Sequence, residues 1–178
     1  MLRFLIRTGA VVAMVFMESP AQAQVAQSGY ALPLSLAMEA AAEAVRVCEA
    51  DGYAVSASVV DPSGVVKLQA KGDHSTIHTR DSSFRKAYTV VTLGPIYRFN
   101  TSSAFTEIVA KSPVGHAISS LPDILPLAGA VAIKAGDETV AALGVGGAPG
   151  GDKDEACARA SVAKIQDRVT AAASKASR

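Results

Sequence analysis

The chain has 178 residues, 49% of them hydrophobic, and its 17 basic and 16 acidic residues leave a net charge of +1. So even a balance supplies no field for nucleic acid or an anionic membrane. Tryptophan is absent and aromatics make up 5%, which also removes the stacking platforms that single-stranded nucleic acid needs.

The first two dozen residues have the three-part organisation of a secretory signal peptide. Arg3 and Arg7 form the positive flank, Gly9 to Met17 the apolar stretch, and Ala21-Gln22-Ala23 the small-residue cleavage site. The stretch is too short for a bilayer core, which takes roughly 20 residues. Cleavage is expected after Ala23, making the protein periplasmic or secreted. Residues 24–33 are then a tether, 34–173 one domain and 174–178 a frayed tail. No second long apolar run follows, so no membrane insertion of the mature chain is expected.

Leu34, Met38, Ala41, Val45 and Cys48 recur at steps of four and three, the stripe of an amphipathic helix that Asp51-Gly52 stops. The period then falls to two. Val55, Ala57 and Val59 alternate with Ser56 and Ser58, which predicts a half-buried strand. Asp61-Pro62-Ser63-Gly64 suits a type I turn, so residues 65 to 70 should return as the paired strand.

A polar stretch containing Asp73, His74, Thr76 and His78 leads to a helix from about Thr79 or Arg80, with Phe84, Ala87, Val90 and Val91 inward and Gly94-Pro95 as its end. Thr101 to Lys111 carries Ala104, Phe105, Ile108 and Val109 at helical spacing, closed by Ser112-Pro113. A short extended piece is expected at Ala117 to Leu121. Ala130 to Lys134 and Thr139 to Val145 make a second, almost continuously apolar hairpin, covered on both faces. A glycine-rich loop, 146 to 151, precedes a last helix, Asp152 to about Ala173, with Ala158, Val162, Ile165 and Val169 on one stripe. This order implies an α+β fold: an antiparallel sheet of about five strands with the first and last helices on one face.

Cys48 and Cys157 fall near the end of the first helix and the start of the last. Antiparallel packing of those helices would join them in one disulfide. Two buried free thiols fit the sequence equally well.

The glycine loop is not a phosphate loop. Asp152 stands where a Walker lysine belongs, and Asp152, Asp154 and Glu155 suit the helix dipole instead. The three histidines lack metal-site spacing, and no Gly-x-Ser-x-Gly elbow is present. More informative is the run from His78 to Thr89. On a helix His78, Ser82, Arg85 and Thr89 share one stripe. An imidazole and a guanidinium so placed can ligate heme iron and pair with a propionate; alternatively Arg85 and Lys86 simply pair with Asp81 or solvent.

Four features in order resemble the GlcG/HbpS family of heme-binding, PduO C-terminal-like domains: Ala40-Ala41-Ala42-Glu43-Ala44; Val59-Val60-Asp61-Pro62-Ser63-Gly64; Arg85-Lys86-Ala87-Tyr88-Thr89; and Leu143-Gly144-Val145-Gly146-Gly147 with Asp154-Glu155-Ala156-Cys157-Ala158. The resemblance implies a profilin-like or PAS-like domain that forms dimers to octamers, binds heme, and in some members partners a sensor kinase. Lys71-Gly72-Asp73-His74-Ser75 and Ala128-Gly129 depart from the family pattern. By this resemblance His78 is the candidate iron ligand, Arg85 and Lys86 the propionate partners, and Tyr88 and Thr89 the pocket walls. An enzyme acting on a small organic acid or aromatic metabolite, with His78 as general base and Arg85 as carboxylate clamp, uses the same residues. A module whose function is its assembly surface is the third reading.

Overall fold

The computed structural model describes residues 29–176; the expected signal peptide, the first part of the tether and the last two residues lie outside them. The elements in chain order are α1 (Leu34–Ala50), β1 (Ser56–Val60), β2 (Val66–Lys71), α2 (His78–Tyr97), α3 (Ser102–Lys111), α4 (Gly115–Ser119), β3 (Ala130–Ala135), β4 (Glu138–Gly146) and α5 (Gly151–Ala176). The fold is α+β. Four antiparallel strands in the order β2-β1-β4-β3 form the sheet, one fewer than expected, because the segment at Ala117 to Leu121 coils into the short helix α4 and the residues after it. Among the described residues no helix is long and apolar enough to cross a membrane.

The first turn forms as its residues require. Asp61 Oδ1 accepts from the N–H groups of Ser63 and Val65 at 2.9 and 3.0 Å, and Gly64 takes a φ of +80°, which costs a residue without Cβ little. Both expected hairpins are present.

Helices α1 and α5 cover one face of the sheet, over Ala57, Val59, Val131, Ile133, Leu143 and Val145; α2 covers the other, over Val60, Ala130, Ala132 and Ala142. This second layer changes β1. All five of its residues are buried, so the alternation of serines with apolar residues marks two covered faces, not one covered and one wet. The serines pay their burial cost in hydrogen bonds: Ser56 Oγ lies 2.8 Å from Thr79 Oγ1, and Ser58 Oγ 2.8 Å from Ser83 Oγ.

Helix α1 also sits differently from its apparent stripe. Leu34 and Met38 are exposed, whereas Leu36, Ala37, Ala40, Ala41, Ala44 and Cys48 are buried. Close approach of two helices and a sheet selects the alanine face over the face with larger side chains. The sulfurs of Cys48 and Cys157 are bonded across this contact, with Cα atoms 5.6 Å apart. Helix α5 buries the expected Ala158, Val162, Ile165 and Val169, and it runs to Ala176, through residues expected to fray. Helix α2 likewise continues past Gly94-Pro95 to Tyr97, because a proline in the last turn removes only one helical N–H. The Gly94 carbonyl then closes the helix by accepting from the N–H groups of Arg98 and Phe99.

Outside the disulfide, α1 and α5 are joined by charge. Glu43 accepts from Arg46 and Lys164, and Glu39 from Arg168. Hydrogen bonds from Arg46, then from Lys164, hold the Glu43 carboxyl down to about 2, and those from Arg168 hold Glu39 below its usual range. A carboxyl depressed in the folded state contributes stability that is complete above its unfolded value of 4.5 and is lost as pH falls toward 2. Thermal melts between neutral pH and pH 2 should therefore show Glu43→Gln less stable than the parent near neutrality, the gap closing on acidification. Parallel curves would contradict this assignment.

Candidate functional site

The site begins with the way α2 is seated. Gly144 and Gly146 on β4 have no side chain between strand and helix; a Cβ on Gly144 would strike the Ser83 carbonyl, and one on Gly146 the Ser82 hydroxyl. The helix backbone therefore lies close on the sheet. Gln69 Nε2 donates to Ser58 Oγ at 2.8 Å and to the Arg80 carbonyl at 3.0 Å, and Ser83 Oγ donates to the same carbonyl. At the helix start, the Thr76 carbonyl accepts from Thr79 N and Thr79 Oγ1. These bonds fix the rotation of α2 about its axis, and hence which residues it presents outward.

His78 is the first residue of α2, exposed, with Nδ1 3.0 Å from Thr76 Oγ1. Ile77 beside it is 71% exposed. Arg85, two turns on and thus about 10 Å along the axis, is half-buried. One of its terminal nitrogens donates to the Ile124 carbonyl at 3.0 Å, while its Nε is buried without a partner. Asp81 does not neutralise it, pairing with Arg80 instead. A half-buried guanidinium with one carbonyl acceptor and no carboxylate among the described residues can pair with an anion through its terminal nitrogens.

The other residues singled out on α2 do different work. Lys86 is not available to a ligand: it is 2% exposed, donating to Asp154 Oδ2 at 2.7 Å and to the Val145 carbonyl at 3.1 Å. Thr89 is buried, its hydroxyl accepting from Leu125 N at 2.8 Å and donating to the Arg85 carbonyl; it anchors the loop that wraps Arg85. Tyr88 is half-buried, 5.6 Å from the Phe84 ring, and lies against Gly64 of the first hairpin turn. His78 and Arg85 therefore lie on one flank of α2; Ser82 between them leans on Gly146, Thr89 one turn further is covered by the loop at Leu125, and Lys86 turns into the core. Among the described residues no group of three metal-ligating side chains is clustered.

Sequence reasoning missed the buried polar knot under this flank. Asp154 accepts from Lys86 and from Ala148 N, tying α2 to the glycine loop. Glu155 accepts from Ser103 N and Oγ at the start of α3, and from Gly129 N and Arg159. Burial outweighs the Lys86 ammonium and pushes the Asp154 carboxyl above its usual range. The glycine of Ala128-Gly129 leaves room for the lysine: a Cβ there would lie 2.7 Å from Lys86 Nζ, at a φ of +135°. The visible clue was the adjacent acids Asp154 and Glu155 near the start of α5, which the helix dipole alone already explained.

The family described as "Haem degrading protein HbpS-like" matches residues 32–163. The chain belongs to the HbpS-like family. A double mutant of Streptomyces reticuli HbpS superposes with a TM-score of 0.70 at 34% identity, covering 89% of this chain and 99% of that one. A second HbpS structure gives 0.71 at 33%, covering 83% and 99%. Klebsiella pneumoniae ORFY, at 22% identity and a TM-score of 0.68 over 78% of this chain and 92% of its own, shares the fold. A heme complex of PduOC does so at 16% identity and 0.65, covering 75% and 94%. No curated protein matches the chain. This HbpS-like chain keeps the helix, hairpin and glycine-loop features that carried the resemblance in its sequence.

Proposed function

We propose that this HbpS-like chain is an exported heme-binding protein that holds its ligand along the outer flank of α2. The observation that carries the reading is Arg85, whose guanidinium has one acceptor, the Ile124 carbonyl, and no carboxylate among the described residues. A heme propionate pairs with the terminal N–H groups that the Ile124 carbonyl leaves unsatisfied. His78, on the same flank about 10 Å away, offers an imidazole for the iron, and Ile77 and Tyr88 offer apolar surface to the ring. The family description supports heme as the ligand. Lys86, committed to Asp154, has no part in this site.

Titrating the intact chain with hemin tests the proposal. A saturable Soret shift with a Kd of about 1 μM or tighter is expected. His78→Ala should change the shape of the bound spectrum, and Arg85→Ala should weaken binding about tenfold through loss of a charge-assisted bond. Absence of any Soret shift overturns the function; a bound spectrum indifferent to His78→Ala overturns the ligand assignment.

A further inference from the structure

Both hairpin turns close at one end of the sheet, opposite the end where His78 starts α2. Each hairpin carries one irregularity beside its turn. In β2 the pairs Val59↔Leu68 and Val60↔Val66 leave Lys67 as an extra residue. In β4 the pairs Ile133↔Ala141 and Lys134↔Thr139 leave Val140 extra. A bulge re-aims the side chain it frees, and such devices concentrate beside binding sites. These two belong to different hairpins, yet both line one cleft of about 210 Å³, with Tyr30, Leu32, Pro62 and Ser63.

The lining has a defined chemistry. Leu32 and Val140 are 2% and 1% exposed and, with Pro62, give the cleft an apolar wall. Lys67 is half-buried, and among the described residues it makes no ion pair or hydrogen bond. Its stem lies along the cleft and leaves the ammonium without an acceptor from the described residues. Two carboxylates also line the cleft: Asp61 spends Oδ1 on the backbone of its own turn, and Glu138 has an interaction of its own. The volume lies below the roughly 300–1,000 Å³ of pockets for drug-sized ligands and suits a smaller molecule.

We infer that this cleft binds a small organic acid, its carboxylate on the Lys67 ammonium and its apolar part against Leu32, Pro62 and Val140. The site is separate from the α2 flank and does not depend on heme binding there. Bulging turns an edge-strand lysine, ordinarily a solvated guard of the sheet edge, into the cation of a partly enclosed site.

The test is an amide NMR titration of the intact chain with benzoate and with lactate, benzamide serving as the uncharged control. Saturating shifts are expected at Ser63, Lys67 and Val140 with a Kd of about 1 mM or tighter, and binding of benzamide should be at least about tenfold weaker. Lys67→Gln should abolish the shifts and leave the response to hemin unchanged, while Lys67→Arg, which keeps the charge, retains them. Four results overturn the inference: no saturation with either acid up to about 20 mM, equal shifts with benzamide, shifts that persist in Lys67→Gln, or shifts that map to α2 around Arg85.

Discussion

Lys86→Met should cost about 3–5 kcal/mol of folding stability, the penalty for leaving a carboxylate buried without its counter-ion. Asp154 stays in place in that variant, still bonded to Ala148 N but stripped of the Lys86 ammonium. The pair itself need not be a net stabiliser, because burial already raises the Asp154 carboxyl above its usual range despite the lysine beside it. The asymmetry is what counts: neutralising both partners is far cheaper than removing one. Lys86→Met with Asp154→Asn, which keeps an acceptor for Ala148 N, should recover most of the loss. Urea denaturation of the parent, the single and the double variant measures all three. A single variant within about 1 kcal/mol of the parent would show that Lys86 and Asp154 are not paired in the native protein.

Opening the Cys48–Cys157 bond should cost a similar amount, about 2–5 kcal/mol. The bond spans 109 residues of sequence, and a loop of about 100 residues loses roughly 4.7 kcal/mol of unfolded-chain entropy when closed. Both sulfurs are buried beneath α1 and α5, so reduction should require partial unfolding. Melts of the purified chain with and without a strong reductant, beside the Cys48→Ala/Cys157→Ala variant, read the effect. Identical midpoints in all three would show that the thiols are free. The ion pairs of Glu39 and Glu43 hold the same two helices together. Low pH combined with reduction should therefore loosen this face first.

Much of the architecture was legible along the chain. Asp61-Pro62-Ser63-Gly64 encodes its own turn because its hydrogen bonds lie within four residues. The stripe of α5 and the two hairpins follow from local period in the same way. Where the reading failed, two layers competed for one element. The stripe of α1 looked like Leu34 and Met38, yet the alanine face is inside, since close packing against α5 and the sheet favours small side chains over large ones. The serines of β1 looked solvent-facing and are buried, since a second helical layer brought hydroxyl partners from α2.

The candidate site divides along the same line. The sequence alone determined that His78 and Arg85 would share one side if the helix reached back to His78, because a period of 3.6 residues is a property of the backbone; the structure starts the helix there. Only the tertiary structure decided that Arg85 keeps an unsatisfied N–H, that Lys86 is consumed by an acid 68 residues away, and that Cys48 meets Cys157. Local chemistry sets turns and periods through contacts a few residues long; which charges meet, which are left without a partner, and which bulges converge on one cleft depend on how the layers are stacked.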